Sequence, residues 1–156
     1  MPFEISAATD MAEVRALFVE YVEWLDVDLA FQGFPEELAG LPGAYAPPAG
    51  RLLVARAQGQ AAGCVALKPR GPGTAEMKRL WVRPAFRGQG LGRALAEAAI
   101  AGAREIGYRR LVLDSLRKLA PAIAMYRRMG FTDTAPYYEG ALPGMTFLEM
   151  SLPPPG

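Results

Sequence analysis

The sequence contains no histidine and a single cysteine, Cys64, among 156 residues. One thiol excludes an internal disulfide framework, and without imidazoles the usual ligands of a structural or catalytic zinc are missing. Histidine is likewise excluded as a catalytic base, so proton transfer would fall to carboxylates and tyrosines. No apolar run reaches the roughly 18 residues of a membrane span. The opening stretch MPFEISAATD has the pattern of a strand running into a helix cap, unlike a secretory leader. These absences lead to the expectation of a cytoplasmic protein with no membrane partner.

Basic residues are scarce in the first third. Between positions 10 and 50 the acids are Asp10, Glu13, Glu20, Glu23, Asp26, Asp28, Glu36 and Glu37, against Arg15 alone; from Arg51 onward sixteen bases face seven acids. The net charge of +1 therefore hides an asymmetry: either two solvated faces of opposite sign, or one end suited to cations and the other to anions. The bases do not gather in a known nucleic-acid-reading module, so no nucleic-acid partner is expected.

With 51% apolar residues, a chain of this length can bury roughly 70% of its unfolded surface. One domain over 1–152 is expected, with PPPG at 153–156 as a loose tail. FEIS reads as a first strand, and Asp10 with Glu13 forms a capping box for a helix running to about Leu29. Val14, Leu17, Phe18, Tyr21, Val22 and Leu25 recur at helical spacing. A Gly/Pro-rich connection follows, with a short helix at Pro35–Ala39 and the length of a substrate loop. The stretch from Arg51 to Arg70 reads as a hairpin turning at 58–60, and TAEMKRLWVRP as a further strand ended by Pro84, so three antiparallel strands stand in a row. A helix from Gly90 to Ile106, a strand RLVLDS, a helix from Ala120 to Met129 and strands near Phe131 and in MTFLEMSL complete an alternating α/β order. Cys64, on a predicted strand with no base beside it, reads as a small core residue.

The stretch FRGQGLGRAL, residues 86–95, places three glycines between two arginines at a strand-to-helix junction. A Walker loop requires Lys followed by Ser or Thr, and Arg93–Ala94 stands there instead. The glycines at 88, 90 and 92 do not fit the dinucleotide spacing either. What remains is a loop whose backbone N–H groups converge at a helix N-terminus, a physical cradle for phosphate to which Arg87 and Arg93 would add charge. The alternative is a glycine-rich turn that binds nothing.

In RLWVRPAFRGQGLGRAL, Arg87, Gly90 and Gly92 resemble the acetyl-CoA-binding motif of the GCN5-related N-acetyltransferase (GNAT) family, Gln/Arg-x-x-Gly-x-Gly/Ala. AMYRRMGF at 124–131 resembles the family's second landmark, and the order of elements is similar over nearly the whole chain. The resemblance implies a mixed α/β fold with a largely antiparallel six- to seven-stranded sheet flanked by about four helices. It implies acetyl-CoA as co-substrate, its pyrophosphate held by the backbone of Arg87, Gly88, Gln89, Gly90, Leu91, Gly92 and Arg93. The strand before the loop would splay from its neighbour, with Leu80, Trp81 and Val82 pairing to the pantetheine arm like an added strand.

The resemblance also suggests roles in the chemistry. Tyr126, four residues before Gly130, matches the tyrosine that protonates the departing thiolate, and a phenol with a pKa near 10 can donate at neutral pH. Glu76 resembles the glutamate base of the histone-acetylating branch, acting through water. Alternation along a strand would set Glu76, Lys78, Leu80 and Val82 on one face. A solvated Glu76–Lys78 salt bridge is the competing reading. The oxyanion would meet a backbone N–H such as that of Val82. Leu119 departs from the family's asparagine, and Ser115 would replace part of its bonding to the coenzyme. No metal is implied.

Tyr21, Trp24, Phe31, Phe34, Tyr137 and Tyr138, with Glu139 beside them, are the candidate acceptor lining, and the YYEG stretch could form a gating turn. The acidic first third would suit a cationic amine, and an acceptor region poor in arginine argues against a carboxylate-rich acceptor. The leading expectation is direct transfer to a primary amine, a small molecule in preference to a peptide. The alternative is a coenzyme A-binding module without turnover. Family members are often dimers, which leaves a homodimer open.

Overall fold

The computed structural model describes residues 2–29 and 33–154. Phe3–Ala7 forms β1, and the Asp10 carboxylate then caps α1 (Met11–Leu25), accepting from the N–H groups of Ala12 and Glu13 at 3.0 and 3.3 Å. These would otherwise be orphan donors of the first turn. The helix does not continue to Leu29 as its periodicity suggested. Asp26 adopts a left-handed φ of 56°, and its N–H turns back onto the carbonyls of Val22 and Glu23. Aspartate tolerates this conformation, and it closes the last turn.

The short helix α2 (Phe34–Ala39) leads to β2 (Arg51–Ala57), β3 (Gln60–Pro69) and β4 (Thr74–Val82). Next come α3 (Leu91–Ile106), β5 (Arg110–Ser115), α4 (Ala120–Arg128), β6 (Thr132–Asp133) and β7 (Thr146–Ser151). The seven strands form one sheet in the order β1-β2-β3-β4-β5-β7-β6. Every pair is antiparallel except β4 with β5. No described helix is long and apolar enough to cross a membrane.

Two irregularities in the middle of the sheet position the site. The parallel pairing of β4 with β5 covers only Thr74–Glu76 against Arg110–Val112; beyond it the strands run on unpaired to Val82 and Ser115 and open a wedge. In β4, Arg79 has a φ of 60°, and the register against β3 steps from Ala66↔Lys78 to Cys64↔Trp81. One extra residue on β4 is a bulge, and a bulge reverses the alternation of side chains beyond it.

The bulge corrects the expected sharing of one face by Glu76, Lys78, Leu80 and Val82. Glu76 and Lys78 stand with Trp81 on the α1/α2 side of the sheet, where Trp81 packs with Leu17, Phe18, Val54 and Cys64. Leu80 and Val82 stand on the opposite side, against a core of Val65, Leu67, Met77, Leu95, Leu111 and Leu148 beneath α3 and α4. Each such leucine, fully withdrawn from water, contributes about 1.5–3 kcal/mol of hydrophobic stabilisation, so both layers clamp the sheet and hold the wedge open.

Candidate active site

The wedge opens into a cleft of about 410 Å³. Leu80, Trp81 and Val82 of β4 form one wall and Arg87, Gly88, Gly90, Leu91 and Gly92 another, as the sequence led us to expect. The third wall is formed by Lys118, Leu119, Pro121, Ala122 and Met125; apart from Leu119 these were not expected, because α4 reaches the cleft only through tertiary packing. Trp24, expected on the acceptor side, stands in this cleft instead. Gln89 and Arg93 are not in its walls, and the Arg93 side chain pairs along α3 with Glu97 at 2.9 Å.

The loop geometry suits a phosphate chain. Gly88 and Gly90 have φ values of 81° and 80°, which only glycine adopts without strain, and a Cβ at either would point into open space. Gly90 is the N-cap of α3 and offers no side-chain acceptor to the first turn. The first amides of α3 thus face the cleft without a side-chain cap, with the positive end of the helix dipole behind them. Arg87 stands beside them, its guanidinium 4.9 Å from the Trp81 ring centre and 5.3 Å from that of Trp24.

Where β4 and β5 part, a narrow cavity of about 40 Å³ crosses the sheet, lined in part by Tyr21, Lys78, Asp114, Ser115 and Tyr126. It shares Leu80, Leu119 and Ala122 with the cleft, so the two adjoin. Ser115 therefore lies in the crossing, not in the main cleft. Tyr126 is 6% exposed, packs edge-on against Phe131 at 5.7 Å, and makes no hydrogen bond among the described residues. Burial raises its pKa well above the ordinary tyrosine value, with a smaller contribution from Tyr21. The phenol stays protonated at working pH. Tyr21 is pushed up to about 12, chiefly by desolvation.

On the α1/α2 side the crossing meets a polar cluster. Glu76 is fully buried, accepts from the Tyr137 hydroxyl at 2.7 Å, and has Lys78 Nζ at 3.6 Å, Arg70 Nη1 at 3.5 Å and Lys68 Nζ at 4.0 Å. The solvated salt bridge weighed for Glu76 and Lys78 is therefore a buried one. The Tyr138 hydroxyl donates to Asp114 Oδ2. Through the parallel register Asp114 stands on the same sheet face as Glu76, two residues beyond Val112. Tyr137, Tyr138 and Phe147 meet edge to face, with centroids 5.4 Å apart in each pair, and Arg70 lies over both tyrosine rings. Burial lowers the Lys78 pKa, with the charge of Arg79 adding to the effect.

Of the remaining candidates, Phe34 belongs to the α1/α2-side core with the Arg79 guanidinium over its ring at 5.2 Å, and Glu139 is exposed. Phe31 lies outside the described residues. Lys78 was expected beside Glu76, whereas Lys68, Arg70 and Asp114 were not. The parallel register of β4 with β5 brings Asp114 to that face, and nothing local announces Arg70.

The charge asymmetry of the sequence resolves into pairs across the fold. Glu13 meets Arg56, Glu20 meets Arg83 at 2.8 Å, and Glu37 meets Arg79 at 2.9 Å. The acids of α1 and α2 thus bind the strands to the helices. Arg70, Lys68 and Lys78 surround Glu76, so the face that carries Tyr137 and Tyr138 is not poor in bases. Among the described residues no cluster of carboxylates and cysteine could hold a metal ion.

A profile of the family described as Acetyltransferase (GNAT) family matches residues 14–131. The chain is 41% identical over 145 residues to an uncharacterized N-acetyltransferase of Schizosaccharomyces pombe, spanning 92% of this chain and 89% of that one. It is 45% identical over 78 residues to a streptothricin acetyltransferase of Streptomyces lavendulae, spanning 47% of this chain and 41% of the relative. The fold is that of the PaiA N-acetyltransferase of Thermoplasma acidophilum, solved in complex with coenzyme A. Its TM-score is 0.74 at 18% identity, covering 97% of this chain and 99% of the other.

Proposed function

The chain belongs to the GNAT acetyltransferase family, and we propose that it moves an acetyl group from acetyl-CoA directly to a primary amine of a small molecule in a ternary complex. One observation carries this reading: the cleft of the glycine loop adjoins the crossing beside Tyr126, which shares Leu80, Leu119 and Ala122 with it and also holds Lys78 and Asp114 of the polar cluster. The amides from Arg87 to Arg93 would hold the pyrophosphate, and the unpaired edge of β4 from Leu80 to Val82 the pantetheine arm. The co-substrate supplies an electrophilic thioester carbon and a thiolate leaving group.

The remaining work falls to side chains. The amine must be neutral to attack, and its proton passes to the carboxylates of the polar cluster. Asp114 stands in the crossing itself, and Glu76 is reached through the Tyr137 hydroxyl. As the C–N bond forms and the C–S bond breaks, Tyr126 gives its proton to sulfur and is reprotonated from solvent. A backbone N–H of β4, such as that of Val82, meets the transient oxyanion.

Direct transfer is supported by Cys64, which is fully buried and donates to the Arg79 carbonyl at 3.3 Å, with its thiol pKa pushed up by desolvation. It is no nucleophile for an acyl-enzyme. The similarity to a streptothricin acetyltransferase supports a small-molecule acceptor.

The test is thiol release from acetyl-CoA with a panel of amines, comparing wild type with Tyr126→Phe and Glu76→Gln. Tyr126→Phe is expected to lower kcat by about 100-fold, the scale of a general acid. Tight binding of acetyl-CoA with no turnover on any amine would overturn the reading.

A further inference from the structure

The crossing is much smaller than the cleft it adjoins. Its volume is about 40 Å³ against about 410 Å³ for the cleft, the room of about three water molecules. The two spaces share Leu80, Leu119 and Ala122, so these side chains form the neck between them. Leu119 packs against the core on the α1/α2 side, and Leu80 and Ala122 against the core on the other, so the neck spans the sheet. Tyr126 follows Ala122 by one turn of α4, on the same face, and lines the crossing but not the cleft.

A thioester whose sulfur reaches Tyr126 from the cleft therefore has its acyl group at the neck, with the chain extending into the crossing. Two walls of that space cannot retreat. In β4, Lys78 is paired with Ala66 of β3; in β5, Leu113 and Ser115 are 2% and 4% exposed and paired with Leu148 and Thr146 of β7. The wall set by side-chain size alone is that of Leu119 and Ala122. An acetyl group, with its two carbons and one oxygen, suits a space of this volume. Each further methylene would compete with the attacking nitrogen for room and would set apolar surface against Lys78 and Asp114, which line the same space.

We propose that Leu119 and Ala122 form an acyl-length filter on the donor: they admit acetyl-CoA and exclude propionyl-CoA and longer thioesters. The inference rests on the reading of Tyr126 as the residue that meets the thioester sulfur, and it names the donor selectivity that this reading leaves open.

The experiment measures binding of CoA, acetyl-CoA, propionyl-CoA and butyryl-CoA by calorimetry, and transfer from each thioester to one amine. In wild type, kcat/KM for acetyl-CoA is expected to exceed that for propionyl-CoA by about tenfold or more and that for butyryl-CoA by about a hundredfold or more, the scale on which a pocket distinguishes methylenes. Butyryl-CoA should bind at least about threefold more weakly than acetyl-CoA, although each methylene entering an open apolar site would tighten binding about fourfold. Leu119→Ala should reverse that order of affinity and raise the butyryl-to-acetyl ratio of kcat/KM by about tenfold or more. Ala122→Val narrows the neck from the other side; it should weaken binding of acetyl-CoA more than binding of CoA itself, and it serves where Leu119→Ala does not fold. Butyryl-CoA that binds and reacts as well as acetyl-CoA in wild type would overturn the filter while leaving acetyl transfer standing. An order of affinity unchanged in folded Leu119→Ala would do the same. Absence of transfer from every thioester would overturn the reading of the site as amine-acetylating, and the order of affinity would still decide the filter.

Discussion

Arg87 reaches back over its own loop and donates from Nε to the carbonyl of Val82 at 3.1 Å. That carbonyl lies on the unpaired edge of β4, where an extended ligand would add as a strand, so Arg87 occupies an acceptor that the pantetheine arm would claim. The guanidinium also lies over the rings of Trp24 and Trp81, which are the chain's two tryptophans. Addition of coenzyme A is therefore expected to change intrinsic tryptophan emission. Arg87→Ala should raise the Kd for coenzyme A by about tenfold or more, the scale of a lost charge-assisted phosphate contact. Titration by fluorescence and calorimetry at two salt concentrations checks both; unchanged emission on saturation would show that Arg87 stays in place.

Tyr126 links catalysis and stability to pH in a defined direction. Its folded pKa is raised above the ordinary 10.0 by burial, so its proton is retained throughout the neutral and mildly alkaline range. No alkaline fall in kcat from this residue is expected below about pH 10. For stability the sign follows from proton counting: above about pH 10 the unfolded chain releases the phenolic proton while the folded chain keeps it, so stability is lost as pH rises. The stability difference between wild type and Tyr126→Phe should fall by about 1.4 kcal/mol per pH unit there, read from urea melts in steps above pH 9.

The Arg79–Glu37 pair joins the bulge of β4 to α2, with side chains 4% and 15% exposed. Removing Glu37 takes two charge-assisted hydrogen bonds from the buried Arg79 guanidinium, so Glu37→Ala should cost about 3 kcal/mol or more. Glu36→Ala, one residue earlier and exposed, should remain within about 0.5 kcal/mol of wild type. Urea denaturation of both variants measures the difference; equal, small losses would mean that the pair does not hold α2 to the sheet.

Gly63 of β3 pairs with Val82 at the end of β4. A Cβ there would come within 2.5 Å of the Trp81 carbonyl oxygen and 3.3 Å of Val82 Cα, both backbone atoms that can move only by shifting β4. Gly63→Ala should destabilise the fold by about 1–3 kcal/mol, the cost of overpacking. It should also weaken coenzyme A binding, because the displaced backbone is the cleft wall. Gly59→Ala, at a turn where a Cβ meets nothing within 4 Å but φ is 73°, is the comparison that carries strain without a clash.

Local signals determined most of the elements. Asp10 announces the start of α1, the turns at 58–60 and 71–73 bound β2 to β4, and Gly88 and Gly90 mark the loop that leads into α3, because caps, turns and positive φ act within a few residues. The early stop of α1 at Asp26 was not legible, since an aspartate inside a helical pattern can continue it or end it. The cleft was legible where Leu80 to Val82 and the glycine loop are contiguous in the chain. The polar cluster around Glu76 depended on the tertiary structure. One extra residue at Arg79 reversed the faces of β4 and sent Glu76 and Lys78 away from Leu80 and Val82. The packing of α1 against the sheet put Trp24 in the cleft of the glycine loop, and the return of the β6–β7 connection laid Tyr137 and Tyr138 beneath Arg70, more than sixty residues away in sequence. Electrostatic balance and side-chain facing are sums over neighbours that only folding brings together; the chain alone specifies which charges exist, and the register of the sheet decides which of them meet.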